Sequence, residues 1–262
     1  MSTFAYIVAA SFAGGVLSII AAAGTLALHP SWVSKLVSFA VGALLGAVFI
    51  ELLPHALEDG PANQVMMTVL AGLLVFFLLE KLVLWRHSHS HGEDAELVSH
   101  AHDHGAAAHG GDHGRSGLMI VIGNSVHNFC DGIVIAAAFL AGTSLGIAAT
   151  LAIVSHAIPQ QVGDFAVLLH SGYSRRRAFA FNMTTGAATL AGALAGYFAL
   201  AGMEKALPTV LAIAAASLLY VAVADLIPSL HRRAEPLQTV IQLVLIGLGI
   251  GVIFAAHVLL PH

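Results

Sequence analysis

The sequence predicts an all-α membrane protein, a bundle of eight transmembrane helices with the N and C termini outside. Three observations carry that expectation. Of 262 residues, 58% are hydrophobic and 9% charged, with mean hydropathy +0.88, whereas soluble domains carry about 25% charged residues. Apolar runs of roughly 20 residues, enough to cross a hydrocarbon core about 30 Å thick, recur along the chain. The basic residues, finally, collect in alternate connections.

In chain order the predicted spans are 4–28, 33–56, 65–85, 117–141, 145–169, 178–201, 207–227 and 237–260. The first follows Met1-Ser2-Thr3 with no positive stretch before it, so it is expected to stay in place rather than act as a cleaved signal. His29-Pro30-Ser31-Trp32, Glu58-Asp59-Gly60-Pro61 and Gly142-Thr143-Ser144 are short connections, and short connections make neighbouring helices antiparallel. Small residues such as Gly186, Gly192 and Gly196 punctuate the helices, as close packing in lipid requires. The chain therefore reads as one transmembrane domain, 1–262, in a multi-pass protein of the cell (plasma or inner) membrane.

With the N terminus outside, Lys35, Lys81, Arg86, Arg115, Arg175, Arg176, Arg177, Arg232 and Arg233 all fall on the inner side, and only Lys205, beside Glu204, falls outside. A net charge of −4 leaves no basic surface for nucleic acid. Cys130 is the one cysteine, which excludes an intramolecular disulfide.

The long connection 86–116 would then be cytoplasmic. It holds eight of the 16 histidines: His87, His89, His91, His100, His102, His104, His109 and His113. Glycine, alanine and acids fill the gaps, so a disordered segment is expected. Clustered imidazoles suit zinc and similar borderline metals, so the loop is read as a metal-contacting segment.

Polar side chains interrupt the fourth and fifth spans. His127 and Asp131 lie four residues apart and share a helix face, which Asn124 and Asn128 extend. His156, Gln160 and Asp164 repeat at the same spacing on the next span. His127 and His156 each lie about 15 Å into their spans at 1.5 Å per residue, so both approach the midplane. Ionisable groups at that depth are costly and mark function by default. An interhelical hydrogen-bond network is the bland alternative, but paired imidazoles with carboxylate and amide oxygens fit a divalent transition metal better. Pro159 removes one backbone donor and frees the Ser155 carbonyl, as transport pathways often require. Cys130 is read as an apolar filler, and Glu80 as an interfacial acid that reaches water.

Glu51-Leu52-Leu53-Pro54 in span two and Asp225-Leu226-Ile227-Pro228 in span seven share one pattern on helices of opposite direction. An inverted repeat of spans 1–3 and 6–8 would produce it, with an acid at each mouth of the route.

At these residues the chain resembles the ZIP (Zrt/Irt-like protein) family of metal transporters. The resemblance rests on His127-Asn128-Phe129-Cys130-Asp131-Gly132 and on the stretch from His156 to Leu169, and it extends to the eight spans, the His-rich loop and Asp225-Leu226-Ile227-Pro228. It implies a transporter rather than an enzyme, carrying Zn²⁺ and also Fe²⁺, Mn²⁺ or Cd²⁺ into the cytoplasm, with the metal as cargo and no cofactor. It also implies a homodimer and a transport site between spans four and five. Residue by residue, His127, Asn128, Asp131, His156 and Gln160 match ligand positions, and Asp225 matches a pathway acid. Glu51, Gln161 and Asp164 are further pathway candidates. In relatives the span-five motif usually reads His-Glu-x-Pro-His-Glu, whereas Ala157 and Gln161 stand here for the two glutamates and Gln160 for the histidine. One metal site, weaker or differently selective than usual, is the expectation. A metal sensor impaired in transport and an intramembrane metal-dependent hydrolase are the alternatives; the sequence lacks a His-Glu-x-x-His pattern for the latter.

Overall fold

A computed structural model describes residues 2–25, 31–88, 115–231 and 235–260. The described residues are helical, with no strands, and eight helices are long and apolar enough to cross a membrane. They are α1 (Thr3–Thr25), α2 (Ser31–Gly46, continued by a π-turn at Ala47–Leu52 and by Leu53–Asp59), α3 (Ala62–Ser88), α4 (Arg115–Ala141), α5 (Thr143–His170), α6 (Arg175–Leu200), α7 (Leu207–Tyr220, continued by a π-turn at Val221–Leu226 and by Ile227–His231) and α8 (Pro236–Leu259). The eight predicted spans each correspond to one of these. The loop histidines from His89 onward lie outside the described residues, and His87 falls in the last turns of α3.

The connections are tighter than the sequence suggests. Only Gly142, in extended conformation, separates α4 from α5, because Thr143 and Ser144 already belong to the helix. Gly172 turns the chain after α5 at φ +85°, a left-handed backbone that favours glycine, and the Ser174 hydroxyl then accepts from the Arg177 N–H to cap α6.

α4 and α6 make the most extensive pairing, and α1 packs across α5 and α6; α2 pairs with α8, and α3 with α7. Glycines set the closest approaches. A Cβ on Gly192 would overlap the Phe129 carbonyl, and one on Gly132 would overlap the Thr189 carbonyl. These two contacts press α4 against α6 on the side of α4 adjoining Asp131. The buried core that follows is rich in alanine, from Ala136 to Ala138 on α4, Ala148 to Ala152 on α5 and Ala212 to Ala216 on α7, which lets the backbones approach.

The two π-turns have one cause. Pro54 and Pro228 lack an N–H and their rings crowd the carbonyl four residues back. In α2 the register slips so that the Leu53 N–H bonds Val48 O; in α7 the Ile227 N–H bonds Ala222 O. Glu51 and Asp225 occupy the same place within the two turns. A single shift along the chain carries Gly42 to Ala216, Glu51 to Asp225 and Gly72 to Ile246. Gly42 lies against Ile246 while Gly72 lies against Ala216, so the α2–α8 contact maps onto the α7–α3 contact.

Candidate metal centre

The i, i+4 spacing on α4 brings His127 and Asp131 together on the face turned to α5, and the Gly142 hairpin returns α5 so that His156 meets them. His127 Nε2 and Asp131 Oδ2 lie 3.4 Å apart, and His156 Nε2 lies 3.4 Å from the same oxygen. The two Nε2 atoms are also 3.4 Å apart. Three ligands each 2.0–2.1 Å from a tetrahedral zinc ion stand about 3.4 Å from one another. The three donor atoms thus form one face of a zinc-sized tetrahedron.

Their surroundings agree. Asp131 and His156 are buried, while the His127 side chain is 26% exposed and marks the open side. Among the described residues nothing donates a hydrogen bond to Asp131 Oδ2 in spite of its burial, a costly arrangement unless a cation faces it. His156 Nδ1 lies 3.4 Å from the Ala152 carbonyl; donation there keeps Nε2 as the lone-pair nitrogen, the usual outer-shell arrangement of a metal-bound imidazole. Among the described residues this is the one group of three or more His, Cys, Asp or Glu side chains close enough to share an ion.

The other candidates fall elsewhere. Asn128, one turn from Asp131, is buried, donates to the Asn124 carbonyl at 2.8 Å and accepts from the Thr189 hydroxyl at 3.3 Å. Its side chain is committed to α4 and α6 and stands outside the triangle. Gln160 is half-buried, and Gln161 is buried with its side-chain oxygen unpaired. Asp164 is hydrogen-bonded by Asn124, and the charge of Asp225 acts on both Asp164 and His156, which sets an acidic region on the side of the centre away from Gly142. Glu51 is fully buried at the opposite side, and His257 Nδ1 of α8 lies 3.1 Å from its Oε1.

Two residues differ from their sequence reading, and a third had none. Cys130 faces outward from the bundle instead of filling it, because it adjoins Asp131 and is turned about 100° round the helix from that inward-facing carboxylate. Glu80 accepts a hydrogen bond from the Tyr220 hydroxyl of α7 instead of simply reaching water. His257 had no signal, since its partner lies 206 positions away in the chain.

A family model described as "ZIP Zinc transporter" matches residues 1–257. Zinc transporter ZIP13 of Pongo abelii is 33% identical over 236 residues, which cover 83% of this chain and 65% of that protein. Zinc transporter SLC39A7 of Rattus norvegicus is 31% identical over 312 residues, covering 89% and 66%. The zinc transporter ZIP13 homolog of Drosophila melanogaster is 30% identical over 276 residues, covering 87% and 78%. The chain spans about two thirds of the length of the first two of these relatives.

Proposed function

Because the chain belongs to the ZIP family, we propose that it transports a divalent transition metal, zinc first among them, into the cytoplasm through the site made by His127, Asp131 and His156. The equilateral triangle of two imidazole nitrogens and one carboxylate oxygen at 3.4 Å is the observation that carries the reading. Mixed nitrogen and oxygen donors favour Zn²⁺, Fe²⁺ and Mn²⁺ over Ca²⁺ and Mg²⁺. A lone Asp131 neutralises half of a dication's charge. The ion is therefore held strongly enough to leave water and weakly enough to move on, as a pathway demands.

In this reading metal arrives past Glu51 and His257, pauses at the triangle, and leaves past Asp164 and Asp225 towards the His-rich segment 86–116. Asn128 and Gln160 stand close by as supporting polar groups, and Gln161 lines the route. The matched π-turns and the equivalent glycine contacts support an inverted repeat of spans 1–3 and 6–8. The basic residues support external termini in a cell-membrane protein, and a homodimer accords with the resemblance. The relatives' names describe transporters, which favours transport over an intramembrane hydrolase.

Uptake into proteoliposomes loaded with a zinc-responsive dye tests the proposal. Wild-type protein is expected to carry Zn²⁺ inward, and His127→Ala to lose at least about 90% of the flux. Wild-type flux in His127→Ala refutes the site, and binding without flux in the wild type favours a sensor.

A further inference from the structure

Hydroxyl groups in this bundle mostly turn back on their own helix. Ser125, Thr150, Ser155 and Thr185 each donate to a carbonyl three or four residues earlier, the usual habit of serine and threonine in helices. Thr189 of α6 differs. Its hydroxyl crosses to α4 and donates to Asn128 Oδ1 at 3.3 Å, between residues 6% and 3% exposed. The Asn128 amide is held at both ends. Its Nδ2 donates to the Asn124 carbonyl at 2.8 Å, which leaves Oδ1 facing α6, where a donor is required. A methyl group in place of the hydroxyl would leave that oxygen unpaired in a buried contact.

Thr189 meets α4 a second time, since a Cβ on Gly132 would overlap the Thr189 carbonyl. Asn128 and Gly132, one turn apart, each directly follow a member of the triangle, His127 and Asp131. Successive residues stand about 100° apart round a helix, so Thr189 grips the flank of α4 beside the face that carries both ligands. That grip sets the rotation of α4 about its axis. A rotation of about 10° moves an atom roughly 5–6 Å from the axis by about 1 Å. Metal–ligand distances hold to within about 0.2 Å, so the rotation of α4 decides whether the triangle closes on an ion. The same face of α6 also holds α5: Asn182, two turns before Thr189, is buried and donates its Nδ2 to the Gln161 carbonyl at 3.2 Å.

We propose that Thr189 is a positioning residue of the metal centre, whose hydroxyl, through Asn128, locks the rotation of α4 that brings His127 and Asp131 to an ion shared with His156. Asn128 then serves as the handle by which α6 holds α4, and not as a ligand. The inference rests on the triangle being the metal site.

The test uses the purified full-length protein with Co²⁺ as a zinc stand-in, read by its visible absorption bands and by chelator competition. Thr189→Val, equal in size but without the hydroxyl, is expected to alter the bands and to bind Co²⁺ about 10- to 100-fold more weakly. Thr189→Ala, which lacks the hydroxyl and adds no bulk, is expected to do the same, and Thr189→Ser to keep the wild-type spectrum and affinity. In an Asn128→Ala background Thr189→Val is expected to cost nothing further, because the hydroxyl acts through that amide. Wild-type spectrum and affinity in Thr189→Val overturn the proposal. Equal losses in Thr189→Val and Thr189→Ser overturn it in favour of packing, and a full further loss on top of Asn128→Ala overturns the route through the amide. Equal Co²⁺ affinity in wild type and His127→Ala overturns the triangle as the site, and this inference with it; a loss in His127→Ala beside wild-type behaviour in Thr189→Val overturns this inference alone.

Discussion

An imidazole binds metal only as the neutral base, so protons compete with zinc for His127 and His156. Zinc affinity and uptake are therefore expected to fall as protons are added, read by chelator competition at a series of pH values; a flat profile would exclude imidazole ligation. A second expectation concerns Ala157, which is buried beside His156. Ala157→Glu supplies the carboxylate that relatives carry and offsets the remaining charge of the bound ion. Zinc is expected to bind on the order of tenfold more tightly, a gain of about 1.4 kcal/mol, and equal titration curves for the two proteins would remove the charge argument. That His127, Asp131 and His156 lie together was legible in sequence, because i, i+4 spacing and matched depth need only local helix geometry. The turn of Asn128 away from the triangle to Thr189 was not, because it depends on how closely α6 approaches α4, and sequence spacing on one helix says nothing of that.

At the scale of helices, glycine decides how near α4 and α6 come, and that approach holds the metal face of α4 towards α5. Gly192→Val forces a side chain into the Phe129 carbonyl, which, as backbone, yields less easily than a flexible side chain. Overpacking costs about 1–3 kcal/mol. Loss of thermal stability in detergent, with weaker zinc binding as α4 shifts, is the expected result. Gly251→Ala, at a position where a Cβ meets nothing within 4 Å, is the control expected to keep both. Equal behaviour of the two variants would show that the α4–α6 contact is not tight in solution. The eight spans were readable from hydropathy alone, and their ends fell within a few residues of the helices. The π-turns were not, although their cause was in view: Pro54 and Pro228 announce a disturbed backbone, and whether a helix kinks or slips register is settled by its neighbours. Pro159 shows the contrast, since it sits inside a helix that continues from Thr143 to His170.

For the whole molecule, direction of transport depends on which way the bundle lies in the membrane, and the basic residues are the physical argument for it. Arg175, Arg176 and Arg177 crowd the N-terminal turn of α6, where the helix dipole disfavours positive charge. A cluster placed against the local electrostatics fits retention on the cytoplasmic side during insertion. The α4–α5 hairpin at Gly142 and the end of α2 at Asp59 would then face outward; His55 Nε2, 3.9 Å from where a Gly142 Cβ would stand, puts these two at one end of the bundle. Because Cys130 is the single cysteine, a Cys130→Ala background allows the orientation to be read directly. A membrane-impermeant maleimide applied to intact cells is expected to label Asp59→Cys and to reach Ser171→Cys only after permeabilisation. The reverse pattern would turn the bundle over, put Asp164 and Asp225 on the receiving side, and change the proposed activity from uptake to export while leaving the metal triangle untouched.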